Sequence, residues 1–113
     1  MLYNLDQAQA QPLVVLVEGV FDAIRVGPAG VAMFGKKPSV TQERMLHALW
    51  KRGTLAWIPD QDDPDAFGIA MGYVDRWNAT GLFAGGAHAI ILPAGKDPAD
   101  CTREELWELI NSR

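Results

Sequence analysis

LVVLVEGVFDAIRVG, residues 13–27, decides how the rest of the chain is read. Leu13–Val17 is a short, continuous, valine-rich apolar run. It is too short for a helix and lacks the polar alternation of a half-exposed strand, so it predicts a buried parallel strand. Glu18-Gly19 ends it. Phe21–Val26 then reads as a short helix, stopped by Gly27-Pro28. Val31–Phe34 is a second strand, closed by Gly35. In KKPSVTQERMLHALWKRG, Ser39 or Thr41 can cap a helix with Glu43 or Arg44 in its first turn, and Gly53 ends it. Met45, Leu46, Leu49 and Trp50 form the stripe of that helix that faces a core. Leu55–Ile58 is a third strand running into Pro59-Asp60-Gln61-Asp62-Asp63-Pro64-Asp65. A helix of about Ala66 to Trp77 follows, with Ala66, Ala70, Tyr73, Val74 and Trp77 inward. Ala87–Leu92 is a fourth strand, ended by Pro93. The last helix opens on a capping box of Thr102 and Glu105 and buries Leu106, Trp107, Leu109 and Ile110.

Strand and helix alternate, which implies a mostly parallel four-stranded sheet with helices on both faces. Right-handed crossovers place every strand's C-terminus on one edge, where ligands of open α/β sheets bind. Residues 1–12, with DQAQAQP at 6–12, read as an N-terminal tail or inter-domain approach, and 13–113 as the domain.

The chain has 113 residues, 49% of them hydrophobic and 21% charged, which suits one folded domain. It has no apolar run of the ~20 residues that a membrane span needs. Its start lacks the pattern of a secretion signal. With Cys101 the only cysteine, an internal disulfide and a cysteine-rich zinc site are excluded. These features predict a cytoplasmic protein without a membrane partner. The net charge of -4 argues against a domain that grips nucleic acid by its overall field. If it acts there, cations, additional domains or a partner chain must offset the acidity.

Glu18 ends the first strand and Asp60 follows the third, so the topology brings them to one edge. Asp60 and Asp62, two apart, point the same way in extended backbone. Converging carboxylates repel one another, and a divalent cation relieves that repulsion as well as protonation does. Mg²⁺ (or Mn²⁺) suits a few carboxylate oxygens plus water. The competing reading is that acid-rich turns cap helices: Asp63 or Asp65 for the helix at Ala66, Asp22 for the one after Glu18. Capping does not account for a glutamate at the end of a valine-rich strand.

VVLVEGVFDAIRV resembles the first motif of the Toprim domain, a strand followed by Glu-Gly-x-x-Asp, here Glu18, Gly19 and Asp22. Asp60-Gln61-Asp62 after the third strand is similar to that family's Asp-x-Asp motif. LPAGKDPAD, with Lys96, Asp97 and Pro98, resembles a segment after the last strand of bacterial and phage DNA primases, and VAMFGKKPSVTQERML resembles the primase strand–glycine–helix segment. The resemblance covers roughly residues 13–101. It implies a Toprim-like, Rossmann-type three-layer α/β fold and a Mg²⁺-dependent nucleotidyl-transfer module of a primase-like protein. It gives Glu18 a proton-transfer role beside the metal, Asp60 and Asp62 the metal, and Asp22, Lys96 and Asp97 supporting places. One departure matters. In primases a glycine lies three positions after the second aspartate; Gly68 lies three after Asp65. An alignment on glycine therefore picks Asp63 and Asp65, and an alignment on the strand picks Asp60 and Asp62.

Primases also need a zinc-binding domain and a further polymerase subdomain, which 113 residues cannot hold. The expectation is a module of a larger phage or bacterial protein that reaches nucleic acid and nucleotides through other domains. A stand-alone metal-dependent nuclease and a catalytically silent scaffold of the same fold are the alternatives. Lys36, Lys37, Arg44, Lys51 and Arg52 read as a solvated basic face. His47, His88 and Cys101 have no partners in sequence, and Trp50, Trp57, Trp77 and Trp107 read as core.

Overall fold

A computed structural model describes all residues, Met1–Arg113. The elements are α1 (Leu5–Ala8), β1 (Leu13–Val17), α2 (Val20–Val26), β2 (Gly30–Ala32), α3 (Val40–Trp50), β3 (Thr54–Trp57), α4 (Ala66–Thr80), β4 (Ala87–Ala89), a 3₁₀ turn (Pro98–Asp100) and α5 (Arg103–Asn111). The four strands make one sheet in the order β2-β1-β3-β4, and every pairing is parallel. This is the architecture that the alternation predicts.

β1 explains the layering. Val14 and Leu16 point into one core with Val31, Leu46, Trp50, Leu55, Val74 and Trp77. Val15 and Val17 point into the other with Ala23, Val26, Leu106 and Ile110. A strand alternates its side chains, so a run that is apolar at every position needs cover on both faces. α3 and α4 supply one cover, α2 and α5 the other. Each buried ring nitrogen finds a partner. Trp50 Nε1 donates to the Gln11 carbonyl, Trp77 Nε1 to Glu43 Oε2 and Trp107 Nε1 to the Val26 carbonyl. All four tryptophans thus serve packing, and Trp57, Tyr73 and Trp77 meet with ring centroids 5.5–5.9 Å apart.

Caps set the helix ends. Ser39 and Gln42 form a reciprocal capping box at α3, and Thr102 with Glu105 forms the expected one at α5. α4 runs past Trp77 to Thr80 and stops at Gly81, which takes the left-handed φ of 66° that a glycine tolerates. Arg103 donates to the Ile24 and Arg25 carbonyls, so α5 caps the end of α2.

Four local expectations are corrected. Residues 6–12 are not loose: they include part of α1, Ala8 is fully buried, and upstream Tyr3 bridges to Ala32. The fourth strand ends at Ala89 rather than Leu92. Ile90 N–H still reaches the Trp57 carbonyl, but Pro59, two residues past the end of β3, has no N–H to continue the ladder, and Ile91 is 61% exposed. The second strand ends at Ala32. The next two amides still donate to Val17 and Glu18, and the chain then turns away at Phe34 with a left-handed φ of 62°. Leu49 is exposed, so the inward stripe of α3 is Gln42, Leu46 and Trp50.

At the outer edge of the sheet, Asn78 from α4 binds β4 as a strand would. Its Oδ1 accepts from Ala87 N–H at 2.8 Å and its Nδ2 donates to the Ala87 carbonyl at 2.9 Å. No helix is long and apolar enough to cross a membrane.

Gln42 is the one buried polar side chain of the core. Its Nε2 donates to the Met1 and Met33 carbonyls and ties the N-terminal segment to the end of β2. Gln42→Leu leaves both carbonyls without that donor, and we expect a loss of about 1–3 kcal/mol. Urea unfolding of the two proteins measures this; an unchanged midpoint would contradict the role assigned to Gln42.

Candidate carboxylate site

The sheet delivers its acids to one edge. Glu18 directly follows β1, and Asp60 lies three residues beyond β3. Asp22 sits in the first turn of α2, and Asp97 precedes the 3₁₀ turn, where it exchanges hydrogen bonds with Asp100. These groups act on one another. The Glu18 carboxyl is pushed above its usual range by burial first and then by Asp60 and Asp63, against the opposing charge of Lys36. Asp22 is pushed up to about 6, again by burial first, then by Asp97, Asp60 and Glu18, with the backbone bond at Gly19 pulling the other way. Desolvation and like charge together mark an acidic edge of the sheet.

The loop after β3 sorts its four aspartates. Asp60 Oδ1 accepts from Asp62 N–H, and Asp63 Oδ1 accepts from Asp65 N–H, both at 2.9 Å. These two successive aspartate turns hold the loop without regular structure. Asp62 is exposed and is absent from the charges that act on Glu18 or Asp22. Asp63 turns toward the edge and pairs with Lys36 at 2.6 Å, which holds its carboxyl below the usual range. Asp65 occupies the N-cap position of α4 but makes no side-chain cap. Gln61 Nε2 donates to the Leu92 carbonyl and anchors the loop to the chain after β4.

Of the residues picked from sequence, the fold brings together Glu18, Asp22, Asp60, Asp63 and Asp97. Asp62 stands apart from that group, and Asp65 acts on Lys36 but not on Glu18 or Asp22. Lys96 reaches Glu105 at 3.9 Å, an exposed pair of little strength, rather than the acidic edge. Sequence reasoning passed over Lys36 as a site residue. It is the cation of this edge, and the signal was available: it follows the second strand, so it lies at the same edge as Glu18. His47 is exposed. Burial raises the Cys101 thiol, the condition of an inert cysteine.

The donor set is all carboxylate oxygen, the chemistry of a hard divalent cation. No three acidic, histidine or cysteine side chains converge closely enough to form a ligand shell by themselves.

No protein-family model matches the chain, and no curated protein matches its sequence. Solved structures do. The RNA polymerase domain of Mycobacterium tuberculosis primase DnaG superposes with a TM-score of 0.75 at 24% identity, over 97% of this chain and 40% of that one. This chain has the Toprim fold of the primase catalytic core. A DNA primase domain from Pseudomonas aeruginosa gives a TM-score of 0.76 at 22% identity over 99% of this chain and 38% of its own. The Aquifex aeolicus primase, comprising zinc-binding and RNA polymerase domains, gives 0.67 at 28% over 98% and 29%. The chain thus spans well under half of each of these primase structures.

The electrostatics make a pH prediction. The Asp22 pKa is raised from 3.8 to about 6, so the folded protein holds this proton more tightly than the unfolded chain does. The resulting stabilisation is fully present below the unfolded value and is lost as pH rises through the folded one. Asp22→Asn keeps an acceptor for the Gly19 bond and removes the charge. In chelator at about pH 8 the variant should be more stable by about 1 kcal/mol, a figure discounted for a half-exposed carboxyl. The difference should fade toward about pH 4. Thermal melts across this range check it, and a variant that melts lower at the alkaline end contradicts it.

Proposed function

We propose that this chain is the metal-dependent catalytic module of a primase-like nucleotidyltransferase. One observation carries the reading. Glu18 and Asp60 lie at the C-terminal edge of a sheet that has the primase fold, and the charge of Asp60 helps to raise the Glu18 carboxyl. In this reading Asp60 and Glu18 hold Mg²⁺, or Mn²⁺ in its place, with Asp22 and Asp97 beside them and Asp63 kept in reserve by Lys36. Asp62 and Asp65 play lesser parts than the spacing alone suggests. When bound, the cation supplies charge neutralisation at a phosphoryl group. Glu18, raised by its surroundings, takes the proton of the attacking hydroxyl.

The module spans only part of the primases it resembles, so template binding, primer synthesis and any origin in a phage or bacterial replication protein belong to the same proposal. The solved DnaG catalytic domain bound to ssDNA is consistent with a nucleic-acid partner. The nuclease reading has no observation of its own in this fold, and the lack of a ready three-ligand cluster is the one that favours a silent scaffold.

Titration with Mg²⁺, followed by amide shifts, tests the metal reading. Shifts should concentrate at residues 18–22 and 60–63, and Asp60→Asn should weaken binding at least about tenfold, the loss of a charged ligand. Asp62→Asn should change it far less. Absence of any response at millimolar Mg²⁺ would sink the proposal. Glu18→Gln should abolish nucleotidyl transfer in the assembly that performs it; full activity of that variant would remove Glu18 from the proton step.

A further inference from the structure

Asp63 is held differently from its neighbours in the loop after β3. Its side chain is only 15% exposed, whereas Asp62 and Asp65 are exposed. Its Oδ1 accepts from Asp65 N–H and its carbonyl accepts from Ala66 N–H, so both ends of the residue are tied to the start of α4. Pro64 follows and disfavours a helical backbone at Asp63, which narrows its freedom further. Oδ2 is the oxygen left for a cation, and Lys36 Nζ takes it at 2.6 Å.

The backbone brings Lys36 to this place. Phe34 N–H donates to the Glu18 carbonyl at 2.9 Å, so the turn after β2 is fastened to Glu18 itself. Phe34 then redirects the chain with its left-handed φ, and Lys36 follows two residues on. Lys37, the next residue, pairs with no acid, so the pairing is not a matter of any lysine nearby. The Lys36 charge also reaches Glu18, where it opposes the upward push of Asp60 and Asp63. The two partners differ in freedom. Lys36 keeps its side chain 54% exposed, and a lysine is a strongly hydrated charge on a flexible stem, so it can return to water. The tethered carboxylate cannot follow it, and a covered acid left without a partner is unfavourable.

We propose that Lys36 is a latch on the carboxylate edge: it stands in for a divalent cation at Asp63 and gives up Oδ2 when that cation binds. Binding then exchanges one cation for another, and the affinity of the edge depends on how firmly Lys36 holds. The latch accounts for an edge rich in acids on which no three stand ready as ligands, since Lys36 keeps Asp63 from joining Glu18 and Asp60. A pair of fully exposed side chains would have no such effect, because its acid is satisfied by water when the lysine leaves. The inference rests on the Mg²⁺ reading of this edge and deepens it by naming the residue that controls it.

Calorimetric Mg²⁺ titration of Lys36 variants tests the latch. Lys36→Met removes the ammonium and keeps an apolar stem, and it should bind Mg²⁺ about tenfold more tightly, the loss of one charged hydrogen bond to be broken. Lys36→Arg keeps the pair and should bind no more tightly than the parent. In an Asp63→Asn background the gain from Lys36→Met should shrink to less than about threefold, the part due to the field of the lysine on Glu18 alone. Two readouts follow the latch without relying on affinity. In chelator Lys36→Met should melt below the parent, and saturating Mg²⁺ should raise its melting temperature by more than it raises the parent's. In the parent protein the Lys36 ammonium resonance should be that of a paired group in chelator and should shift toward that of a free lysine as Mg²⁺ is added. A Lys36→Met protein that binds Mg²⁺ no more tightly than the parent, a gain of equal size in the Asp63→Asn background, or an ammonium resonance that ignores bound Mg²⁺ would overturn the latch and leave the metal reading standing. If neither the parent nor Lys36→Met responds to millimolar Mg²⁺, the metal reading itself fails and the latch falls with it.

Discussion

Everything in this fold is referred to strand β1. It is paired on both edges, by β2 and β3, and covered on both faces, by two helices each. Val14 to Val17 are completely buried, so the strand cannot slip by a residue without exchanging its two cores. The residue that follows is therefore placed with little freedom. Glu18 leaves the sheet at a fixed height, half-buried, with its own carbonyl still accepting from Phe34. A carboxylate held in this way does not relax into solvent. The acids that gather round it do so at its expense, and the raised Glu18 and Asp22 record that.

Much of the fold was legible because its signals are local. Valine-rich runs bounded by glycine or proline identify parallel strands, and Thr102 with Glu105 announces a helix start that forms as written. What escaped was decided by neighbours. β4 stops early because Pro59, two residues past the end of β3, offers no amide. The first residues look loose by composition, but Leu2 and Ala8 find cover that no local window reveals. The left-handed turn at Phe34 is likewise invisible to propensity.

The site was legible in the same uneven way. That Glu18 and Asp60 share an edge follows from chain order and crossover hand alone. Which aspartates of the loop face that edge does not, because the answer lies in turns closed by Asp60 and Asp63 on the amides two residues on. The period-two rule that pairs Asp60 with Asp62 applies to extended backbone, and the loop leaves extended backbone at once. Lys36 was discounted as one more surface lysine, since its partner Asp63 is 27 positions away in a segment whose course only the tertiary structure defines.

The side chain of Asn78 has a consequence beyond the strand it holds. A parallel sheet with an open margin invites recruitment of another chain, and β4 is such a margin. By occupying the donor and acceptor of Ala87, Asn78 presents itself as a counterfeit neighbour, one residue long and fixed to a helix. The sheet is thereby finished at the point where β4 begins. That flank is less open to pairing with a second copy of the chain.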